Sequence, residues 1–397
     1  MAKIAVLGYG VVGSGTVEVF YKNKKSLEEK AGQELDIKYI LDLRDFPDSP
    51  YQDKFVKDFS IILNDPEISV VTEVIGGLKP AYDFVKSSLL AGKSVVTSNK
   101  ELVAAKGAEL LAIAKEKNVN FFFEASVGGG IPIIKPLHTC LSANEIDEIA
   151  GILNGTTNFI LTKMYNDNMQ FEDALKLAQE LGYAEKDPTA DIEGYDACRK
   201  ICIIASLVFG KHVYPDSVTT KGISQVSLED VAAADVLGCA VKLIACVEKL
   251  ENGKILPTVM PMLVPQENII AGVSDVFNAV LVYGDGIDQT MFYGRGAGKL
   301  PTASAVLGDV IESVKEENTV LSQTWESSED SSFIADISEF TARWYFRVPE
   351  ANKPADLEGV YCENGFAHFI TEDKLSYNEA AEKAEKLSAA AYIPVLD

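Results

Sequence analysis

Short apolar runs alternate with amphipathic stretches over the first third of the chain. The apolar runs predict strands at KIAVLGYG, DIKYILDL, VVTEVIGG, KSVVTS and VNFFFEAS. The stretches between them predict helices at GTVEVFYKNKKSLEEK, AYDFVKSSLLAGK and KELVAAKGAELLAIAKEK. Because these strands are continuously hydrophobic and separated by helices, they indicate an α/β fold with a doubly wound parallel sheet covered on both faces.

The pattern changes at the glycine run before Pro132, and mixed helices and strands to about residue 293 predict an α+β domain. A Gly-rich turn, YGRGAGKLPT, then leads into a helix at ASAVLGDVIESVKEE. The polar segment TVLSQTWESSEDSS predicts a linker, and the runs after it predict a small αβ tail. The expected boundaries are 1–132, 133–293, a return segment at 294–318 and a tail module at 335–397.

Composition limits the classes of partner. With 397 residues the chain exceeds one ordinary core, and a net charge of −23 opposes binding to nucleic acid or an anionic membrane. No apolar run reaches the roughly 18 residues of a membrane span, and the N-terminus lacks a signal-peptide pattern, so we expect a cytoplasmic protein. The six cysteines predict buried free thiols, and three isolated histidines argue against a zinc enzyme.

A glycine-rich turn follows the first predicted strand. Gly8, Gly10 and Gly13, with Val11 and Val12 between them, match the G-x-G-x-x-G pattern directly before a helix. Glycine allows the tight turn, and the helix N-terminus attracts the pyrophosphate of a dinucleotide. After the second strand, Asp42 favours NAD and Arg44 favours NADP, with a slight preference for NADP.

Three further segments carry candidate chemistry. Lys100 lies at a helix N-terminus, where it opposes the helix dipole; it is either a solvated surface lysine or a cation directed at the ligand crevice. Asp196 and Lys200 are four residues apart, as in an ordinary helix pair, yet Glu185, Asp187 and Asp191 precede them. Around the glycine run, Glu124 and nearby carbonyls suggest either a hinge or a hard-cation site. The string GILNGTTNFI is either a capped helix start or a ligand-contacting loop.

In combination these motifs resemble the homoserine dehydrogenase family over about residues 3 to 317. The resemblance runs in unbroken order through GYGVVGSG, VIGG, TSNKELVA, FEASVGGGIPII, GILNGTTNFI, LGYAEKDPTADIEGYDACRK and GAGKLPTASAV. It implies a Rossmann-type NAD(P)-binding domain, a substrate-binding and dimerisation domain, and a homodimer or homotetramer. The implied reaction is the reduction of aspartate 4-semialdehyde to homoserine, on the route to threonine, methionine and isoleucine.

The resemblance also implies roles for individual residues. Lys200 and Lys100 match the two active-site lysines, and Asp196 matches the carboxylate that orients Lys200. The implied substrate site comprises Gly155, Thr156, Tyr183, Glu185 and Asp191. The implied cofactor site includes Gly76, Ser98, Lys100 and Gly298. A monovalent-cation site, usually for sodium, is matched by Glu124 and by the carbonyls of Val127, Gly129 and Ile131. The resemblance gives Asp187 no role.

The tail departs from the family pattern. RWYFRV resembles the first strand of an ACT regulatory domain, and SYNEAAEKAEKLSAAAYIPVLD resembles its last helix and strand. Between them, PEANKPADLEGVYCENG has two prolines and no helical period, which predicts an abbreviated ACT-like module with weak or absent threonine inhibition. Two other functions stay open: a related amino-acid or semialdehyde dehydrogenase, and a nucleotide-binding regulatory protein without catalysis. No cysteine has an activating histidine, which argues against an acylating semialdehyde dehydrogenase.

Overall fold

The computed structural model describes residues 1–315, 319–320, 325–328, 330–354 and 359–396. The chain forms two compact units and passes between them several times. The first unit comprises Met1–Ala143, Cys202–Pro215 and Gly294–Glu329, and the second comprises Asn144–Ile201, Asp216–Tyr293 and Asp330–Asp397. The domain boundaries drawn from the sequence stay a prediction. None of the helices in the described ranges is long and apolar enough to cross a membrane.

The first unit is built on a six-stranded parallel sheet. Its first ten elements are β1 (Ala2–Leu7), α1 (Val11–Ala31), β2 (Leu35–Leu41), β3 (Phe55–Val56), α2 (Phe59–Leu63), β4 (Ile68–Glu73), α3 (Ala81–Leu90), β5 (Ser94–Thr97), α4 (Lys100–Lys117) and β6 (Phe121–Phe122). The strand order is β3-β2-β1-β4-β5-β6, and all the pairs are parallel. This order confirms the doubly wound fold, and its direction reverses between β1 and β4, where such sheets bind ligands.

The second unit contains a mixed sheet with helices beside it. Its elements up to residue 295 are β7 (Ile146–Ile152), α5 (Gly155–Asp167), α6 (Phe171–Glu180), α7 (Thr189–Ile192), α8 (Tyr195–Phe209), β8 (Thr219–Thr220), α9 (Leu228–Val236), β9 (Cys239–Lys249), β10 (Ile255–Pro265), β11 (Phe277–Gly284) and β12 (Asp288–Arg295). The strand order is β12-β11-β7-β9-β10-β8. The division between the units falls within α8, after Ile201, and again within β12, after Tyr293.

The chain then returns to the first unit as α10 (Lys299–Lys315). This helix begins four residues before the predicted one and packs along α1, where Val306 and Val310 share a buried cluster with Val17 and Phe20. Gly15 permits the close approach, because a Cβ there would lie 2.7 Å from the carbonyl oxygen of Lys299. The return segment therefore completes one face of the parallel sheet.

The tail forms a small sheet with one helix. Its elements are β13 (Thr341–Ala342), β14 (Trp344–Pro349), β15 (Tyr361–Glu363), β16 (Phe366–Ile370), β17 (Leu375–Ser376), α11 (Tyr377–Lys386) and β18 (Ala391–Pro394). Four of the strands pair in the order β15-β16-β14-β18, all antiparallel. Between β14 and β15 the described residues contain one 3-10 turn, Glu350–Asn352, while 355–358 lie outside the described part. The ACT-like assignment stays a prediction.

The segment predicted as a linker, 319–332, contains the division between the two units, after Glu329, and also a buried side chain. Trp325 is buried, and its indole nitrogen donates to Nδ1 of His212 at 2.9 Å. Gly107 on α4 makes room for this ring, because a Cβ there would lie 2.5 Å from it. One large aromatic side chain thus anchors a polar segment, although residues 321–324 and 329 lie outside the described part. The prediction of buried thiols is wrong for Cys140 and Cys362, which are exposed at the end of a π-helical turn and on an edge strand.

Candidate functional site

The glycine-rich turn after β1 has the shape that a dinucleotide requires. Gly8 has φ +99°, and a Cβ on Gly13 would lie 1.9 Å from the carbonyl oxygen of Gly8. A Cβ on Gly10 would meet nothing within 4 Å, so this face of the turn is open. Val11 is the first residue of α1 and is exposed, and Val12 is the next residue of the helix. The turn therefore fits a pyrophosphate at the N-terminus of α1.

An ion pair lies beside this turn, at the end of β2. Asp42 Oδ2 accepts from the backbone nitrogen of Tyr9 at 2.8 Å and from Arg44 Nη2 at 2.8 Å. The hydrogen bonds from Arg44 lower the pKa of Asp42 to about 2. The Arg44 side chain is 63% exposed and borders a cavity of about 410 Å³ together with Gly8, Gly10 and Lys57. Both residues that compete for the cofactor's ribose thus lie at one cavity.

The loops after β4 and β5 meet at the same edge of the sheet. Gly76 follows β4 with φ +85°, and a Cβ there would meet nothing within 4 Å. Ser98 follows β5, and its backbone nitrogen donates to the carbonyl oxygen of Glu73 at 3.4 Å. Lys100 is the first residue of α4, whose N-cap is Asn99. Since parallel strands place their carboxyl ends together, the predicted cofactor residues Gly76, Ser98 and Lys100 lie along one edge.

Glu73 is a buried carboxylate at this edge and was not among the site residues predicted from the sequence. It is the last residue of β4 and accepts hydrogen bonds from the next loop and from Thr97 on β5. Burial raises the pKa of Glu73, and the hydrogen bond from Thr97 is the largest of the effects that oppose the rise. An acid inside the apolar run VVTEVI was the available signal, since glutamate is rarely fully buried without partners.

The segment from Glu124 to Ile131 has a compact backbone. The Glu124 carboxylate accepts from the backbone nitrogens of Ile133, Ile134 and Lys135 at 2.6 to 2.9 Å. Burial is the main cause that raises the pKa of Glu124, and these three donors oppose it. Its side-chain oxygens are therefore already engaged by the protein.

Carbonyl oxygens are the other candidate cation ligands of this segment. Gly129 has φ +57°, and a Cβ there would lie 2.3 Å from the carbonyl oxygen of Gly296. Within the described residues, the carbonyls of Val127, Gly129 and Ile131 accept no hydrogen bond. Gly298, with φ +124°, ends the turn that faces this segment and precedes α10. The segment offers backbone oxygens of the kind that hard cations prefer.

In the second unit, the predicted catalytic pair is buried and in contact. Lys200 Nζ donates to Asp196 Oδ2 at 2.7 Å and to the carbonyl oxygen of Leu153 at 2.8 Å. Asp196 lies in the first turn of α8, and Lys200 lies one turn further. Asp196 is 4% exposed and Lys200 is 7% exposed. An exposed pair with this spacing would be ordinary, whereas a buried lysine is uncommon and needs its partners.

Asn154 joins this pair to the neighbouring acid. Its Nδ2 donates to Asp196 Oδ2 at 2.8 Å and to Asp191 Oδ1 at 2.7 Å. Its Oδ1 accepts from the backbone nitrogen of Thr157 at 2.8 Å, which caps α5. Asn154 lies within the string GILNGTTNFI but is not among the site residues predicted from the sequence. Asparagine directly before a helix start was the signal, because it is a preferred N-cap.

The remaining predicted substrate residues surround the start of α5. Gly155 is its first residue, and a Cβ there would lie 2.8 Å from the carbonyl oxygen of Val276. Thr156 Oγ1 donates to the carbonyl oxygen of Tyr183 at 2.8 Å, and the Tyr183 ring is partly exposed. Glu185 is exposed two residues further along the chain. Hydrogen bonds thus connect Thr156 with Tyr183, and they connect Asn154 with Asp191 and Asp196. Gly155 lies between Asn154 and Thr156 at the start of α5.

Asp187 has a structural partner. Its Oδ1 accepts from the backbone nitrogen of Thr189 at 3.2 Å and from the Thr189 hydroxyl at 2.6 Å. These bonds lower the pKa of Asp187 and form the turn that leads into α7, which carries Asp191. Asp187 therefore shapes the loop between Glu185 and Asp191.

Two family models match the chain. One is described as homoserine dehydrogenase and matches residues 132–311. The other is the NAD-binding domain of homoserine dehydrogenase and matches residues 8–124. Together they cover more than half of the chain, and the second model assigns nicotinamide nucleotide binding to the part that contains the glycine-rich turn.

Individual relatives and solved structures also indicate the homoserine dehydrogenase family. Homoserine dehydrogenase of Bacillus subtilis is 42% identical over 318 residues, which span 79% of this chain and 73% of that protein. The crystal structure of a homoserine dehydrogenase from Thiobacillus denitrificans superposes with a TM-score of 0.90 at 34% identity, over 100% of this chain and 98% of that one. A hyperthermophilic archaeal homoserine dehydrogenase in complex with NADPH matches with a TM-score of 0.66 at 28% identity, over 79% and 97%.

Proposed function

The chain belongs to the homoserine dehydrogenase family, and we propose that it reduces L-aspartate 4-semialdehyde to L-homoserine, reversibly, with a nicotinamide cofactor. The observation that carries this proposal is the buried contact of Lys200 with Asp196, tied through Asn154 to Asp191. Family membership disfavours the two alternatives, a different amino-acid dehydrogenase and a regulatory protein without catalysis. The product places the enzyme on the route to threonine, methionine and isoleucine.

The first unit would hold the cofactor. The open face of the turn at Gly8, Gly10 and Gly13 accommodates the pyrophosphate, with Val11 and Val12 at the helix start. Gly76, Ser98 and Gly298 would contact the rest of the nucleotide. The bound cofactor supplies the hydride that reduces the aldehyde carbon. We assign this role to residues 1–132 with the return segment 294–318, and substrate binding to 133–293.

Lys200 would supply the proton. Reduction adds a hydride to the aldehyde carbon and a proton to its oxygen, and Lys200 Nζ is the donor that we assign to that oxygen. Asp196 accepts one of its hydrogen bonds and Leu153 another, so the ammonium is held in one direction. Lys100, at the start of α4, would balance the charge on the substrate oxygen and help to place it.

The acids around α5 and α7 would bind the amino-acid part of the substrate. Glu185 is exposed and Asp191 is half-buried, and both would attract the substrate ammonium. Asn154 fixes the direction of the Asp191 carboxylate through its 2.7 Å hydrogen bond. Gly155, Thr156 and Tyr183 would line the same site at the first turn of α5, where backbone nitrogens favour a carboxylate.

Arg44 supports a preference for NADP over NAD. Its guanidinium is exposed at the end of β2, and Lys57 borders the same cavity. Two cations there would attract a 2′-phosphate, and the guanidinium, which bonds Asp42 through Nε and Nη2, would bind it through its remaining N–H donors. Asp42, in contrast, has its carboxylate engaged by Tyr9 and Arg44. The archaeal relative with NADPH is consistent with this preference.

The segment at Glu124 supports a sodium site. The carbonyls of Val127, Gly129 and Ile131 are the proposed ligands, and the Glu124 carboxylate holds the loop through its three backbone donors. Replacement of sodium by a large organic cation would then lower activity. We also propose a homodimer or homotetramer and a tail without a complete ACT domain.

A direct assay tests the proposed reaction. Purified protein with aspartate semialdehyde is expected to consume NADPH, and NADH more slowly, as followed by loss of nicotinamide absorbance. The reverse reaction with L-homoserine should produce the reduced cofactor. Failure of both nucleotides to react with the semialdehyde would overturn the proposal.

A further inference from the structure

Glu73 connects the loop after β4 with the start of α4. Its Oε1 accepts from the backbone nitrogens of Ile75 at 2.7 Å and Gly76 at 3.3 Å. Its Oε2 accepts from the Thr97 hydroxyl at 2.6 Å. The side chain is fully buried, so water does not replace these partners. One carboxylate therefore fixes two loops at the same edge of the sheet.

Further hydrogen bonds close the connection into a circuit. Thr97 Oγ1 accepts from the backbone nitrogen of Asn99 at 2.9 Å. Asn99 Nδ2 then donates to the carbonyl oxygen of Gly77 at 2.7 Å, and Asn99 Oδ1 caps α4 by accepting from Leu102 at 3.1 Å. The circuit comprises Glu73, Thr97 and Asn99, together with the turn at residues 75–77. Lys100 directly follows Asn99 as the first residue of α4.

We propose that Glu73 and Thr97 are positioning residues for the reaction, which set the cofactor-facing turn at Gly76 and the backbone of Lys100 relative to each other. This inference rests on the proposed function, because Lys100 matters here through the substrate. Both parts of the circuit lie within the first unit. A shift of either loop would displace a group that must meet the reacting atoms, and about 1 Å of misplacement can cost about 10²-fold in rate.

The chemistry of the circuit requires an acceptor on both oxygens of residue 73. A carboxylate accepts all three hydrogen bonds, whereas glutamine offers one carbonyl oxygen and an amide donor. In Glu73→Gln the carbonyl oxygen can serve only one side of the circuit. If it serves the turn at Ile75 and Gly76, the amide can only donate to Thr97 Oγ1, which reverses that bond; if it serves the Thr97 hydroxyl, the amide faces the backbone N–H groups of the turn. Thr97→Val removes the hydroxyl and keeps the branched shape, so it opens only the side of the circuit that leads to Lys100.

The chain offers a matched control on the same strand. Thr72 precedes Glu73 and is fully buried, and its hydroxyl has no hydrogen-bond partner among the described residues. Thr72→Val thus makes the same chemical change as Thr97→Val at a site outside the circuit. Thr97→Ser keeps the hydroxyl and serves as the conservative variant.

The experiment measures steady-state kinetics and the dissociation constant of NADPH by fluorescence for all the variants. We expect Thr97→Val to lower kcat about 10- to 100-fold with nearly unchanged affinity for NADPH, while Thr97→Ser and Thr72→Val remain near wild type. Glu73→Gln should lower kcat and also weaken NADPH binding about tenfold, since it also loosens the turn at Gly76.

A double-mutant cycle with Lys100→Ala separates positioning from general stability. If Thr97 acts through Lys100, Thr97→Val should cause little further loss of kcat in the Lys100→Ala background. An equal loss in both backgrounds, or a Thr97→Val variant that behaves like Thr72→Val, would overturn the proposal. If wild type does not reduce the semialdehyde, the proposed function fails by itself. The NADPH affinity of Glu73→Gln against Thr72→Val then decides the role of the turn.

Discussion

Asn154 Nδ2 donates a 2.8 Å hydrogen bond to Asp196 Oδ2, the same carboxylate oxygen that accepts from Lys200 Nζ. Asp196 Oδ2 thus accepts from the N-cap residue of α5 and from a lysine on its own helix. Since Asn154 also holds Asp191 and caps α5, one amide contacts both the carboxylate partner of the proposed proton donor and a proposed substrate acid. Asn154 therefore connects α5, α7 and α8 of the second unit through its side-chain amide.

Substitutions of Asn154 can distinguish its role as the N-cap of α5 from its role as hydrogen-bond donor to Asp191 and Asp196. Serine is a good N-cap but cannot reach as a donor to both acids, so Asn154→Ser should keep most of the stability and lower kcat about tenfold or more. Asn154→Ala should lower kcat similarly and also cost about 1 kcal/mol of unfolding free energy. Denaturant titration and steady-state kinetics check both. Unchanged kcat in a folded Asn154→Ser variant would contradict this role.

Arg44 should decide the choice of nucleotide. Arg44→Ala removes the proposed partner of the 2′-phosphate and releases Asp42, which can then bind the ribose hydroxyls. We expect KM for NADPH to rise about tenfold and KM for NADH to stay constant or fall. Lys57→Ala tests the neighbouring cation in the same way. Equal changes for the two nucleotides would disprove the assignment.

Lys242 gives the second unit a characteristic pH dependence. This buried lysine on β9 donates to the carbonyl oxygen of Val273 at 2.7 Å, and burial lowers its pKa to about 8 from an ordinary value of 10.5. Between these values the unfolded chain binds more protons than the folded chain, so the contribution of this group to stability increases as pH rises. The gain is limited to about 3 kcal/mol.

The matched variant for this effect is Lys242→Met, which keeps the length of the side chain. We expect the difference in Tm, wild type minus variant, to become more positive as pH is raised from 8 towards 10.5. A difference that stays constant or falls over this range would show that Lys242 is not the group responsible.

The tail should not confer threonine inhibition. Between β14 and β15 the described residues form a 3-10 turn rather than the helix that a complete ACT domain would have there. We therefore expect millimolar threonine to leave the activity of the purified enzyme unchanged, with other hydroxy amino acids as controls. Inhibition that saturates with threonine alone would refute the prediction.

The sequence was sufficient for the elements with strong periodicity. The helix at Lys100–Lys117 and the parallel sheet follow from continuous apolar strands with helices between them. The spacing of Asp196 and Lys200 likewise predicted a shared helix face, and the structure shows the 2.7 Å contact. Such features depend on local pattern, which one sequence contains.

Long-range polar contacts were not predictable in this way. Asn154 and Glu73 acquire their importance from partners 42 and 24 residues away. Trp325 is buried although its neighbours are polar, because Gly107 and His212 provide its site from distant parts of the chain. Local composition around Trp325 predicts a linker, and only the fold shows the contact.

The most direct test of the proposed mechanism is the rate at which the Lys200→Ala variant reduces aspartate semialdehyde. Lys163→Ala is the matched control, because Lys163 pairs with Asp167 at the same four-residue spacing on α5 but lies at the surface. We predict that Lys200→Ala lowers kcat by about 10²–10⁴-fold while nucleotide binding and folding persist, and that Lys163→Ala stays near wild type. A folded Lys200→Ala variant with the kcat of the control would contradict the assignment of Lys200 as proton donor.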